Sequence, residues 1–331
     1  MLFSCSKRNA SLLDAVPLDA QIIVESADSA VIMMFDSLLG SHICTENLVD
    51  GKPMAIVKRL SEGQEEFLFL SRPSKKDIQK QKIYEDPDFA RLQKTLGQNV
   101  KAHVYYKDPN GWTLLDVLPE GNALVMNGYA LANDSVSAWR PLKYQLPVKN
   151  SVVNILPYDT RYMYHLGMSD YASYWESFCD KEKVAAFNKK YATDVENKLL
   201  TYLSEVSYNK FGKKDREVFV GRMNDPSAVI KFMERLASKT GVAASQNCQG
   251  YALYDLGKNS FVADVFGNDF SSLKRCCYAI VDQYLVMASS METLQEVIAC
   301  YRSGRTLDLN ESFRTFQQKM LESSLDRKSV V

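Results

Sequence analysis

The apolar positions of this chain fall into short runs typical of strands and longer amphipathic stretches typical of helices. Each half of the chain is predicted to run strand, helix, strand, helix, four strands and helix. Antiparallel strands with helices between them indicate an α+β fold, in which a mostly antiparallel sheet has its helices packed on one face. In the first half, strands are predicted over Gln21 to Ser26, Val100 to Tyr106, Trp112 to Leu118 and Ala123 to Met126. The Asn127-Gly128 pair that follows predicts a hairpin turn.

Three predicted helices begin at an aspartate suited to cap the first turn. Asp28 precedes a helix over 29–39, and Asp86 and Asp225 are each followed by proline, which is favoured at the first helical position. A longer helical stretch is predicted from Tyr171 to about Tyr208, broken near residue 180. The later elements are predicted as strands over Gln246 to Leu256, Ser260 to Phe266, Cys276 to Val281 and Tyr284 to Ala288, and a helix over Met291 to Tyr301.

The two halves resemble one another in four segments that occur in the same order, which predicts a tandem duplication. We predict a first repeat over 11–148, a second repeat over 149–305 and the start of a C-terminal region over 306–325. The match places Asp116 over Asp264, either as a paired acid-base site or, more simply, as equivalent strand residues with a solvent-facing or turn-supporting role. The matched segments are Pro17 to Ala20 with Pro157 to Thr160, Phe67 to Arg72 with Glu217 to Arg222, Gln98 to Leu118 with Gln246 to Phe266, and Asn127 to Tyr129 with Asp282 to Tyr284.

The first ten residues contain Leu2-Phe3-Ser4-Cys5, which resembles a bacterial lipobox, the site at which a cysteine is lipidated after cleavage. The polar residues that follow suit a tether, so residues 1–10 are predicted to be a lipobox remnant and tether with lipid attached at Cys5. The rest of an export signal would lie upstream of Met1. The Lys7-Arg8 pair without acidic neighbours favours a periplasm-facing anchor. The alternative is an unmodified cysteine at the start of a cytosolic protein.

The last six residues, Asp326 to Val331, read as the translation of a common sequencing adapter. They are predicted to be an artefact and are left out of the fold argument. The natural chain is expected to continue beyond Leu325.

The lipobox-like start, the segment Leu12 to Glu25, and the segments Tyr278 to Ile298 and Ser303 to Phe313 together resemble a family of Bacteroidetes envelope lipoproteins. These proteins carry a duplicated α+β domain of unknown function. The resemblance covers most of residues 12–322 and implies an envelope location and the duplicated fold. It assigns no functional residue.

Forty Lys and Arg residues balance forty Asp and Glu residues, so the chain lacks the positive charge expected of a nucleic-acid-binding protein. No apolar run is long enough to span a membrane, so any membrane attachment is expected through the lipid anchor. The seven cysteines show no metal-ligand spacing, and no cofactor or metal site is predicted. Cys276 and Cys277 fall in an apolar strand pattern, where they are predicted to pack on opposite faces.

No sequence motif identifies a catalytic site. His42, His103 and His165 are scattered, and neither GxSxG nor HExxH occurs. Ser207 to Lys210 fits SxxK but lacks the companion motifs of penicillin-binding enzymes. Gly257 to Ser260 faintly resembles a phosphate loop, yet it is predicted to be a turn between two strands.

The 18 tyrosines are the one compositional excess that bears on function. Tyr162, Tyr164, Tyr171, Tyr174 and Trp175 crowd the start of the second repeat, and an exposed aromatic cluster would suit a protein or glycan ligand. The alternative is that most of them pack the sheet against its helices. The sequence thus favours a non-enzymatic, lipid-anchored binding or scaffolding module. The alternatives are an envelope hydrolase with a site assembled from distant segments, or a carrier of an apolar ligand.

Overall fold

A computed structural model describes residues 11–43, 48–71, 76–97, 100–109, 111–120, 123–131, 145–146, 148–242, 244–259, 261–267 and 273–324. The chain divides into two compact units. The first takes residues 1–140 with 316–331, and the second takes residues 141–315. The predicted boundary at 148 therefore lies eight residues beyond the observed division. Thr306, predicted to begin a C-terminal region, pairs with Pro157 in the second unit, and Leu307 lies in its core.

The first unit is a six-stranded antiparallel sheet in the order β3-β2-β1-β4-β5-β6. Its helices follow β1 and β3 along the chain. The strands are β1 (Ala20–Ser26), β2 (Met54–Ser61), β3 (Gln64–Ser71), β4 (Ala102–Asp108), β5 (Gly111–Glu120) and β6 (Ala123–Ala130), and the helices are α1 (Ser29–Leu39) and α2 (Pro87–Leu92).

The second unit is a seven-stranded antiparallel sheet in the order β10-β11-β12-β13-β9-β8-β7. The α+β class with antiparallel sheets is therefore confirmed. The strands are β7 (Thr160–Gly167), β8 (Leu203–Phe211), β9 (Arg216–Met223), β10 (Ala244–Cys248), β11 (Tyr251–Lys258), β12 (Arg275–Val281) and β13 (Tyr284–Ala288). The helices are α3 (Tyr171–Phe178), α4 (Lys181–Tyr191), α5 (Val195–Lys198), α6 (Pro226–Thr240), α7 (Phe261–Phe266) and α8 (Met291–Arg302), followed along the chain by α9 (Glu311–Ser324).

The two sheets share a strand, helix, strand, strand segment, which is compatible with internal duplication. Strands β1, β2 and β3 lie side by side in the first sheet, as β7, β8 and β9 do in the second. The two sheets differ in the side of this triplet to which their remaining strands are attached. In the first sheet it continues from β1 and leaves β3 at the edge, whereas in the second it continues from β9 and leaves β7 at the edge.

Helices cover both faces of each sheet, so the prediction of helices on one face is wrong. In the first unit, Phe35 of α1 packs on the face that carries Val24, and Phe89 of α2 packs on the face that carries Ile23. We call these the α1 face and the α2 face. Strand β2 shows the physical reason, since Met54 to Val57 are all buried. Consecutive residues of a strand point to opposite faces, so a run of apolar residues needs cover on both sides of the sheet.

Two segments form a different type of secondary structure from the one that the sequence predicts. Residues 203–208 belong to β8 instead of a helix, since Val206 and Tyr208 alternate with polar residues and the strand pairs with β9 along its length. Residues 261–266 form α7 instead of a strand, because Phe261, Val262, Val265 and Phe266 recur with helical spacing on one buried side. Asp264 therefore lies on a helix while Asp116 lies on β5, and the two are not equivalent strand residues.

The turn prediction at Asn127-Gly128 is wrong, because both residues lie inside β6. A Cβ atom added at Gly128 would lie 1.8 Å from the Leu114 carbonyl oxygen of the neighbouring strand. Glycine is needed there for the close approach of two backbones, which is the other common reason for glycine within a strand. The predicted strand 246–256 is likewise divided, with a turn between β10 and β11.

The three predicted aspartate caps are confirmed, and one of them also anchors the core. Asp28, Asp86 and Asp225 each accept backbone N–H groups of the first helical turn. Asp86 additionally accepts hydrogen bonds from Lys107 Nζ and Trp112 Nε1, both at 2.8 Å. Burial raises the pKa of Asp86, but these bonds outweigh burial and leave the pKa below its ordinary value. One carboxylate thus starts α2 and fixes β4 and β5 beneath it.

We expect Asp86→Asn to destabilise the first unit by about 1–3 kcal/mol, because an amide nitrogen would face the Trp112 and Lys107 donors. Asp28→Asn is the matched control, since asparagine caps as well as aspartate and only the exposed Lys101 lies near the second oxygen. Hydrogen exchange during urea titration, measured on peptides from each unit, reports the change. Equal losses in the two variants would show that Asp86 acts only as a cap.

Candidate functional site

A groove of about 1270 Å³ opens on the α2 face of the first unit, beside edge strand β3. One wall is the sheet, where Leu68, Leu70 and Arg59 face the groove. The opposite walls are the turn that enters β1 and the coil 76–81. That coil is tied down where Gln79 N donates to the Asp14 carbonyl at 3.1 Å. The groove combines apolar side chains, charged side chains and the backbone of an edge strand.

The coil wall of the groove has a slight excess of positive charge. The charged lining residues of the groove are Asp19, Arg59, Lys76, Asp77 and Lys80. Arg59 is already paired with Glu66 at 2.6 Å and lies 3.8 Å from Asp19, so its charge is largely compensated. Lys80 is exposed on the coil wall.

A buried carboxylate in the second unit collects polar groups from three segments. Glu205 on β8 is fully buried. Its Oε2 accepts a hydrogen bond from Ser151 N at 2.7 Å and lies 3.0 Å from His165 Nε2, and its Oε1 accepts from Ser151 Oγ at 2.5 Å. Arg222 Nη1 on β9 is 3.4 Å away. Burial raises the pKa of Glu205, but the bonds from His165 and Ser151 outweigh it and lower the pKa below its ordinary value.

Although serine, histidine and glutamate meet here, they do not form a nucleophile and base. Ser151 and His165 both bind the same carboxylate, and the hydroxyl of Ser151 donates to Glu205 instead of to the imidazole. A serine nucleophile needs a histidine within hydrogen-bonding reach to take its proton. A carboxylate with a lowered pKa is a weak base. The arrangement therefore fixes the start of the second unit and edge strand β7 to β8.

Of the other two histidines, one binds a carboxylate within the sheet and one is exposed. His103 Nδ1 lies 2.9 Å from Asp116 Oδ1 on the neighbouring strand, and Glu25 sits beside His103 on β1. Burial raises the pKa of Glu25, and His103 opposes that effect. His42 is exposed outside any helix or strand. Among the residues that the structure describes, no group of three His, Cys, Asp or Glu side chains is placed to hold a metal ion.

The predicted aromatic cluster is divided between core and surface. Tyr171 and Trp175 are 3% and 5% exposed, and the indole N–H of Trp175 donates to the Val265 carbonyl. Tyr164 and Tyr174 pack partly against the same core. Tyr162 is 49% exposed, with its ring edge-on to Tyr208 at 6.1 Å. Most of the cluster therefore packs helices on the sheet, and the binding prediction stays a prediction for Tyr162.

The short motifs are explained by local structure. Ser207 and Lys210 lie three positions apart on β8, so their side chains point to opposite faces and cannot form an activated pair. The segment at Gly257 precedes the six-residue α7 instead of a strand, and Asn259 accepts the Phe261 N–H as its cap.

The cysteines show packing roles where the structure describes them. Cys276 and Cys277 are buried in different clusters on opposite faces of the second sheet, as predicted. Cys179, Cys248 and Cys300 are free thiols. Cys5, the predicted lipid attachment site, lies outside the described residues. No helix within the described ranges is long and apolar enough to cross a membrane.

Neither Glu205 nor the groove is predicted from the sequence. The predicted helix up to Tyr208 includes Glu205, although a charged residue between Leu203 and Val206 in a buried strand pattern is a usable signal. The groove depends on which strand lies at the sheet edge, and no local pattern carries that information.

We expect Glu205→Gln to destabilise the second unit by about 2–3 kcal/mol at pH 7, because bonds to a buried charge are lost. Because the folded pKa of Glu205 is lowered, its stabilisation is present above the unfolded value near 4.5 and lost as the pH falls through the folded pKa. The difference between wild type and variant should therefore shrink below about pH 4. Urea titrations with hydrogen exchange at several pH values measure it.

Glu234→Gln, on the exposed side of α6, is the control and should change stability by less than about 0.5 kcal/mol at every pH. A Glu205→Gln effect that is independent of pH would contradict the role of the carboxylate charge.

Scans of protein-family profiles, of curated proteins and of solved structures find no match to this chain. The resemblance to envelope lipoproteins therefore stays a prediction from the sequence. The groove and the Glu205 cluster are interpreted from their own chemistry.

Proposed function

We propose that this protein is a non-enzymatic binding module, lipid-anchored in the bacterial envelope, that binds a polypeptide in the groove beside β3. The observation that carries the proposal is the groove itself, which joins an edge strand, apolar side chains and a charged coil wall. Sheet edges and mixed grooves are common peptide-binding surfaces. The envelope location rests on the lipobox-like sequence at Cys5 and on the family resemblance.

The geometry of the polar clusters supports a binding function over the hydrolase alternative. Glu205 and His165 are the residues most similar to a hydrolase site, and they lie in the second unit. Glu205 is hydrogen-bonded to both His165 and Ser151. The groove lies in the first unit, and its described lining residues include neither histidine nor cysteine.

The binding site is tested with a displayed library of random linear heptapeptides. We expect wild-type protein to enrich peptides whose binding is lost in Asp19→Trp, because an indole at this exposed lining position fills the groove. Asp159→Trp is the matched control, since Asp159 occupies the same place in the second unit's Pro157 to Thr160 segment. Enrichment of no peptide, or of peptides that bind both variants equally, would contradict the proposal.

The anchor is tested separately by expressing the complete gene with its upstream export signal. We expect wild type to fractionate with membranes and to carry a lipid on Cys5 by mass spectrometry, whereas Cys5→Ala should be unmodified and absent from membranes. A soluble, unmodified wild-type protein would contradict the envelope assignment and leave the groove proposal standing.

A further inference from the structure

The turn between β2 and β3 sets which backbone groups of β3 face outward. Glu62 and Gly63 have φ of 50° and 81°, so the two-residue turn has both central residues in the left-handed region, as a type I′ turn requires. Ser61 and Gln64 beside it form a hydrogen-bonded pair, and hydrogen-bonded and non-bonded pairs alternate from there. Glu65, Phe67, Phe69 and Ser71 therefore direct their N–H and C=O groups away from β2.

This outer edge has no backbone partner in the described part of the chain. Strand β3 is the last in its sheet, and no described backbone group bonds to Phe67, Phe69 or Ser71 from the open side. Phe69 and Ser71 also line the groove. Donors and acceptors that repeat every second residue are matched by another extended backbone.

The second unit shows what occupies the corresponding edge when it is filled. The segment Glu217 to Arg222 of β9 matches Phe67 to Arg72 in sequence. Strand β13 pairs with it antiparallel, from Tyr284 opposite Arg222 to Ala288 opposite Val218. In the second sheet this chain supplies its own strand at the side that β3 leaves open.

Charge indicates which kind of strand suits the open edge. Glu65 and Glu66 of β3 are paired with Lys58 and Arg59, so they add little net charge. With Arg59 paired, the positive excess lies on the coil wall, where Lys76 and Lys80 face one aspartate, Asp77, and Lys80 is exposed. An acidic segment complements this wall, whereas a basic one is repelled.

We infer that β3 binds an extended acidic peptide by strand addition, with the peptide backbone bonded to the outer edge of β3 and the acidic side chains, at alternate positions, lying in the groove beside the coil wall. The inference rests on the proposed function and names its ligand class and binding mode.

The test measures the affinity of an acetylated and amidated heptapeptide of alternating glutamate and valine by calorimetry. Two isomers of this peptide carry two backbone N-methyl groups each. The first isomer has them on two successive valines, and the second has them on the two inner glutamates. In a strand, successive N–H groups point to opposite sides, so we expect one isomer to lose affinity about tenfold or more and the other to bind like the parent. Loss in both isomers, or in neither, would overturn strand addition.

Charge is tested with the lysine and valine analogue and with Lys80→Glu. We expect the analogue to bind more weakly than the glutamate peptide, and Lys80→Glu to weaken the glutamate peptide about two- to fivefold. Lys52→Glu is the control, because Lys52 is exposed and lies outside the groove lining, and it should leave affinity unchanged. Equal affinities for the two peptides would overturn the acidic preference.

The outcomes separate the inference from the function on which it rests. If library peptides still depend on Asp19 while the N-methyl isomers behave alike, the groove binds polypeptide by another mode and only strand addition fails. If no peptide of either experiment binds, both fail together.

Discussion

Burial of apolar side chains on both faces of each sheet is the constraint on which the rest of this structure depends. Consecutive residues are all buried in β13 and over Met54 to Val57 of β2, so each strand needs cover above and below there. A fully buried Val, Leu or Ile contributes about 1.5–3 kcal/mol. Cover on both faces accounts for the opposite placement of α1 and α2, and for the helices on both sides of the second sheet.

The same burial explains why the polar clusters are structural. A carboxylate placed under such a layer must collect donors, because an unpaired buried charge is costly. Asp86 gathers two helix N–H groups, a lysine and an indole, and Glu205 gathers Ser151, His165 and Arg222. Each joins segments that are distant along the chain. A serine and a histidine that meet in this way stabilise the fold without becoming a catalytic pair.

The groove follows from a difference in topology between two similar segments. The strand triplet is common to both units, but the first sheet grows from β1 and the second from β9. The edge of β9 is thereby filled by β13, while the corresponding edge of β3 has no partner strand among the described residues and lies beside a positively charged coil. A surface suited to an extended ligand arises from the placement of a few strands, without any catalytic motif.

The sequence by itself determined the α+β class, the aspartate caps at Asp28, Asp86 and Asp225, the strands that form β4 and β5, and the opposite faces of Cys276 and Cys277. These features depend on residues close together along the chain, through periodicity, capping and strand alternation. Only the tertiary structure decided that residues 203–208 form a strand, that Gly128 serves a close backbone approach, and that Trp175 is core. It also decided that β3 is an edge and that Glu205 meets Ser151 and His165. Those outcomes depend on pairing between distant segments, which local patterns do not encode.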